Sequence, residues 1–169
     1  MIGFSRRRGG AIVATFTPVE AELVSTLAAQ LEQLLAERAT DGEDPLPGLV
    51  LGGSTSLPDD PALARLFPDA YADAELSSEF RQLTERGLAH GKVANARFVA
   101  ESVGAGRIEL DEAGAQRWMR SIGDMRLTLA ARIGIDDDDS VIEGDDETLA
   151  MYEVYSWLAG VQDSIVRCL

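Results

Sequence analysis

Asp111-Glu112-Ala113-Gly114-Ala115-Gln116-Arg117-Trp118-Met119-Arg120-Ser121-Ile122-Gly123-Asp124-Met125-Arg126-Leu127-Thr128-Leu129-Ala130-Ala131-Arg132-Ile133-Gly134 carries the densest helical signal in the chain. Trp118, Ile122, Met125, Leu129 and Ile133 recur at steps of three and four, which places them on one face of a helix. Asp111 is a good N-cap and Gly134 a good terminator. The stretch predicts a central helix over 111–133. Upstream, Gly104-Ala105-Gly106 reads as a turn, and Arg107-Ile108-Glu109-Leu110 as a short strand. Downstream, residues 136–147 form an acidic loop, and a last helix runs from about Glu147 to the C-terminus with Leu149, Val154, Leu158, Val161 and Ile165 inward.

Further out, a long helix is predicted over about 75–103, with Leu76, Phe80, Leu83, Gly87, Gly91, Ala94 and Phe98 as its core face. Glycine inside a helix costs about 1 kcal/mol relative to alanine. Gly87 and Gly91 therefore suggest either a close backbone neighbour or a break into two helices. A short helix spans 60–67. Residues 40–59 are a Pro- and Gly-rich connection in which Leu49-Val50-Leu51 is a candidate packed turn. Thr17, Pro18 and Glu20 open another helix with a capping box. It extends to about Arg38 with Val19, Leu23, Leu27, Leu31 and Leu34 on one stripe. Residues 2–16 form a hairpin. A three-residue loop, Arg8-Gly9-Gly10, puts Ile2 and Phe4 on one face with Ile12, Ala14 and Phe16, and leaves Ser5, Arg7, Val13 and Thr15 outward. The expectation is a mainly α (α+β) fold: one domain over 1–169, with the hairpin at 2–16 and a bundle of about four long helices over 18–169. The 107–110 strand is a candidate third partner for the hairpin.

The chain has 169 residues, 46% hydrophobic and 26% charged, with a net charge of -14. So acidic a surface repels phosphate, which disfavours general nucleic-acid binding. One cysteine, Cys168, and one histidine, His90, exclude an internal disulfide and a Cys- or His-rich metal site. The N-terminal order of apolar residues before Arg6, Arg7 and Arg8 is wrong for a signal peptide, and no apolar run approaches the roughly 20 residues of a membrane span. A cytoplasmic protein with no membrane partner is expected.

Each chemical motif competes with a plainer reading. Asp136, Asp138, Ser140 and Glu147 sit at EF-hand positions one, three, five and twelve, but Val141 occupies the place that needs glycine. A solvated linker that favours the next helix N-terminus explains the acids better, so no metal is expected. Arg6, Arg7 and Arg8 at the hairpin tip would touch an acidic partner, lie in solvent, or tie the hairpin to the protein's own acids. Cys168 is a redox candidate beside Arg167, against a plainer role as a small packing residue. No Gly-x-Ser-x-Gly elbow or phosphate loop accompanies His90. Arg81, Lys92, Asp124, Arg126 and Arg132 are charges set within apolar helices, suited to a cross-helix network or to a pocket for an anionic ligand. The plainer reading is surface charge on aliphatic stems.

Several segments in order resemble a known family: Leu66-Phe67-Pro68-Asp69-Ala70-Tyr71, Glu79-Phe80-Arg81-Gln82-Leu83-Thr84, Trp118, Asp124-Met125-Arg126-Leu127 with Leu129, Arg132-Ile133-Gly134, Tyr155-Ser156-Trp157-Leu158 and Gln162. The family is actinobacterial, was long catalogued as a domain of unknown function, and is now named for the oxidative-stress transcriptional regulator AosR. The resemblance covers nearly the whole chain. It implies a non-enzymatic cytoplasmic regulator, without a cofactor, that acts through protein contacts on a sigma factor or the transcription machinery. Proximity of the family's genes to that of the Clp protease adaptor keeps a Clp-associated adaptor or another interaction module as the alternative. An enzyme or a binder of a small anionic ligand, using Arg81, Lys92, Asp124 or Arg126, is the other. A thiol switch within one subunit needs two cysteines, and the chain supplies one, Cys168.

Overall fold

The N-terminal hairpin turns where the two glycines demand it. Arg7 and Ala11 close a three-residue loop, the Gly10 N–H donates to the Arg7 carbonyl (2.9 Å), and Gly10 takes a φ of +89°, the left-handed value this loop type requires. The computed structural model describes residues 1–40, 54–136 and 144–169. Its elements are β1 (Ile2–Arg6), β2 (Ile12–Phe16), α1 (Pro18–Thr40), α2 (Pro61–Leu66), α3 (Ala74–Ser102), β3 (Gly106–Leu110), α4 (Glu112–Ile133) and α5 (Asp146–Val166). The 107–110 segment is indeed a strand. It pairs antiparallel with β2, giving a sheet of order β1-β2-β3 beside the helices.

Local signals place the helix ends. Thr17 and Glu20 form the reciprocal box: the Thr17 N–H donates to Glu20 Oε2 (2.8 Å) and the Glu20 N–H to Thr17 Oγ1 (3.3 Å). Asp60, Asp73, Asp111 and Asp145 each accept backbone N–H bonds at the N-termini of α2, α3, α4 and α5. Gly134 ends α4 at φ +72°. Trp118, Ile122, Met125 and Leu129 are all buried, and α4 touches α1, α2, α3 and α5, so it is the central helix. Phe4 and Phe16 meet the Trp118 ring at centroid distances of 5.4 and 5.7 Å, fixing the sheet to α4. The Trp118 indole N–H donates to Ser102 Oγ (2.8 Å).

Four expected faces are corrected. Ile2 is 71% exposed, because the β1–β2 register shifts between Ile2 and Ser5 and turns that side chain outward. Val13, expected outward, is buried on the middle strand, flanked by β1 and β3. On α1 the core line is Ala21, Val24, Ala28, Leu31 and Leu35. Val19 is exposed, and Leu23, Leu27 and Leu34 lie on the rim, because small residues let α1 pack closely against α3. On α5, Leu158, Val161 and Ile165 are buried, but Leu149 in the first turn is exposed and Val154 only half-buried.

The correction on α3 is the largest. α3 is unbroken across Gly87 and Gly91, and no described residue lies within 4 Å of where a Cβ would stand at either. Among the described residues neither the break nor the close backbone neighbour is present. Most of the expected core face is the outer one: Leu76, Phe80, Leu83, Gly87, Gly91 and Ala94 are exposed and only Phe98 packs against the core, while Ser77, Arg81, Glu85, Ala89, Ala96 and Val99 face inward. The candidate turn at 49–51 lies outside the described residues.

Candidate functional site

The inward face of α3 buries a charged cluster. The Arg81 guanidinium donates to Glu85 (2.7 Å), to Asp69 (2.9 Å) and to the Phe67 carbonyl (2.9 Å). Arg38 of α1 reaches Glu85 from the other side (2.8 Å). Arg81 and Glu85 are almost fully buried, so their pairing offsets a desolvation cost that neither tolerates alone. The Ser77 hydroxyl and Arg81 hold the Asp69 carboxyl below the usual carboxylate range. This cluster locks the 67–69 segment and α1 to α3. Sequence reasoning finds Arg81 and misses Glu85 and Arg38. The signal for Glu85 is its i,i+4 spacing from Arg81.

A second set of charges opens on a groove of about 680 Å³ between α3, α4 and α5. Gly87, Leu88, Gly91 and Lys92 line it from α3; Met119, Gly123, Asp124, Arg126 and Leu127 from α4; Tyr155 and Gln162 from α5. Lys92 Nζ donates to Asp124 Oδ1 (2.6 Å). Burial pushes the Asp124 carboxyl above its ordinary range, and Lys92 opposes this only in part. Arg126 donates to Gln162 Oε1 (2.7 Å) and to the Tyr155 hydroxyl (3.2 Å), and lies 4.8 Å from the Tyr155 ring centroid. The Gln162 amide in turn donates to the Met119 carbonyl (3.3 Å). Gly123 makes room for this: a Cβ there would stand 3.0 Å from the Gln162 amide nitrogen. Arg120 sits exposed on the rim.

Lys92, Asp124 and Arg126 are thus brought together: Lys92 and Asp124 pair with each other, while Arg126 is held by the neutral side chains of Gln162 and Tyr155. What remains open is a concave, mostly apolar surface with a fixed cation beside an aromatic ring. Arg81 belongs to the buried cluster. Arg132 stands apart, pairing with Asp60 (2.7 Å) and joining α4 to the start of α2. Burial pushes the Asp60 carboxyl up, but Arg132 and the N–H groups of Ala62 and Leu63 outweigh it and hold it below its ordinary range.

The other candidates occupy separate places. Arg6 donates to the Cys168 carbonyl (2.9 Å) and to Glu112 (2.5 Å), so it ties the hairpin to α4 and to the end of α5. Arg7 and Arg8 are exposed. Cys168 is buried and its thiol donates to the Ser164 carbonyl (3.2 Å), while Arg167 pairs with Asp163 (2.6 Å). His90 is exposed and does not line the groove. Of the EF-hand frame, Asp136 pairs with Arg65 (2.6 Å) and Glu147 lies in the first turn of α5. Asp138 and Ser140 lie outside the described residues. Among the described residues no helix is long and apolar enough to cross a membrane.

Residues 1–169 match the family model described as domain of unknown function DUF2017. The chain belongs to the DUF2017 family. It is 28% identical over 183 aligned residues to the oxidative stress regulator AosR of Mycobacterium tuberculosis (strain H37Rv), an alignment that covers 96% of this chain and 84% of that protein. A relative of the same name from Mycobacterium bovis matches to the same extent. A Mycobacterium leprae relative is 29% identical over 174 residues, covering 90% of this chain and 79% of its own length. No solved structure matches. Membership in DUF2017 therefore spans the sheet, the buried cluster and the groove alike.

Proposed function

We propose that this chain is a non-enzymatic regulator of the response to oxidative stress, acting through protein contacts with a sigma factor or the transcription machinery. The observation that carries the reading is the full-length likeness to proteins named as oxidative stress regulators. The groove is consistent with it: it is concave and mostly apolar, and Gln162 and Tyr155 hold Arg126 in place, which suits a fixed docking surface. The net charge of -14 favours a basic protein partner over nucleic acid. Sensing by an internal disulfide is not part of the proposal, since Cys168 stands alone and packs into the core.

The test is genetic and biochemical together. A strain lacking the chain is challenged with peroxide and its transcripts are compared with the parent. Several-fold changes in oxidative-stress transcripts are expected, restored by the wild-type chain. Co-elution of the purified chain with RNA polymerase or a sigma factor is the expected contact. Unchanged transcripts would overturn the regulatory reading. Binding of a small anion is a second reading, favoured by Lys92, Arg120 and Arg126 around one groove. A thermal shift with phosphate or small carboxylates, lost in Arg120→Ala, would support it.

A further inference from the structure

The outer face of α3 has a pattern that core packing does not use. Leu76, Phe80, Leu83, Gly87 and Gly91 follow each other at helical spacing and all face solvent. Leu76 is 53% and Leu83 59% exposed, and Tyr71 packs edge-on against Phe80 with centroids 5.7 Å apart. The N-terminal half of this face is thus a ridge of large side chains. The C-terminal half is a slot: Gly87 and Gly91 have no described neighbour within 4 Å of a Cβ position, and they border the groove with Leu88 and Leu127.

We propose that this face is a self-association surface, on which two copies of the chain pair their α3 helices antiparallel so that the ridge of each fills the slot of the other. Three features on the molecule select a second copy as the occupant. The first is shape. A single two-fold axis passing between Leu83 and Thr84 sets Phe80 over Gly87 and Leu76 over Gly91 at once, in both directions, as an isologous interface requires. The second is charge. Asp73, Glu75 and Glu79 are exposed at the ridge end, while Arg120 is exposed beside the slot end. Antiparallel pairing brings acid to base at both ends, and parallel pairing would set acid against acid. The third is size. With about half of each side chain exposed, Tyr71, Leu76, Phe80, Leu83, Leu88 and Leu127 present on the order of 500 Å² of apolar surface per copy. Two copies remove about 1,000 Å², the lower bound for a specific interface. The pair is therefore reversible, populated as concentration rises.

Sedimentation equilibrium of the full chain, from low micromolar to near-millimolar concentration, tests this. The mass should rise toward twice that of the monomer. Gly87→Leu should weaken association by about tenfold or more. It fills the slot, its Cβ meets no described residue of the monomer, and leucine is the better helix former, so its melting temperature should equal or exceed that of wild type. Position 83 lies beside the axis, one residue from its own symmetry mate, so Leu83→Glu and Leu83→Lys should each be monomeric alone and recover the dimer when mixed. A monomer throughout the range, or a dimer that ignores Gly87→Leu, would overturn the proposal. So would a different protein that binds wild type but not Leu83→Glu while the chain itself stays monomeric, since the face would then belong to that protein.

Discussion

α3 and α4 are both long helices with an apolar stripe, of 29 and 22 residues, yet they bury opposite kinds of face. α4 turns its stripe inward, and Trp118, Ile122, Met125 and Leu129 become the core. The N-terminal half of α3 turns its stripe outward and buries Ser77, Arg81 and Glu85 instead. The difference lies in the surroundings. α4 is wrapped by four other helices, so the apolar face is the one that loses water. Along α3, the Phe67 carbonyl, Asp69 and Arg38 supply partners that make a polar face tolerable inside. Periodicity reports that a face is apolar, and the partners brought by other elements decide which face is covered.

The comparison can be broken most severely at Trp118. Trp118→Ala should cost roughly 3–5 kcal/mol, because it removes the ring that Phe4 and Phe16 pack on. Denaturant unfolding measures it, and a loss below about 1 kcal/mol would remove α4 from the centre. Next comes the polar seam of α3. Glu85→Ala should cost about 3 kcal/mol, because Arg81 stays buried with its closest partner gone. The same unfolding curves read it, and a near-zero loss would mean that the seam is solvated.

The two aspartates near these helices sharpen the contrast through pH. Asp124 holds its proton more tightly when folded than when unfolded. Its contribution is present below the unfolded value and is lost as pH rises through the folded one. Asp60 has the opposite sign, with a contribution present above its unfolded value and lost as pH falls through its folded one. Stability measured against pH, relative to Asp124→Asn and Asp60→Asn, should therefore slope in opposite directions across the acid range. The smallest effect belongs to the outer face of α3. Gly87→Ala should stabilise the monomer by up to about 1 kcal/mol, since the site is helical and open. A loss instead would reveal a neighbour at that glycine.

What was legible in the sequence was local. The Thr17–Glu20 box, the caps at Asp111 and Gly134, the loop at Arg8–Gly10 and the extent of α3 each depend on a few adjacent residues, and each is found where the sequence puts it. Ile2 escaped because a register shift inside β1 leaves no mark on the alternation. The core line of α1 escaped because alanines, not leucines, make its closest approach. At the site, Lys92, Asp124 and Arg126 stand out in sequence as charges among apolar residues, and the fold gathers them. Their partners Tyr155 and Gln162, like Glu85 and Arg38 in the other cluster, come from helices far away in sequence, and no local pattern joins them.

Thiol labelling of a Leu83→Cys variant at submicromolar concentration tests the central reading of α3 most directly. The variant carries two thiols, one on the outer face and the native Cys168, which is 7% exposed. Mass spectrometry under native conditions should find the thiol at position 83 modified rapidly and Cys168 slowly. Protection at position 83 equal to or greater than that of Cys168 would put the apolar stripe of α3 back in the core and contradict the account.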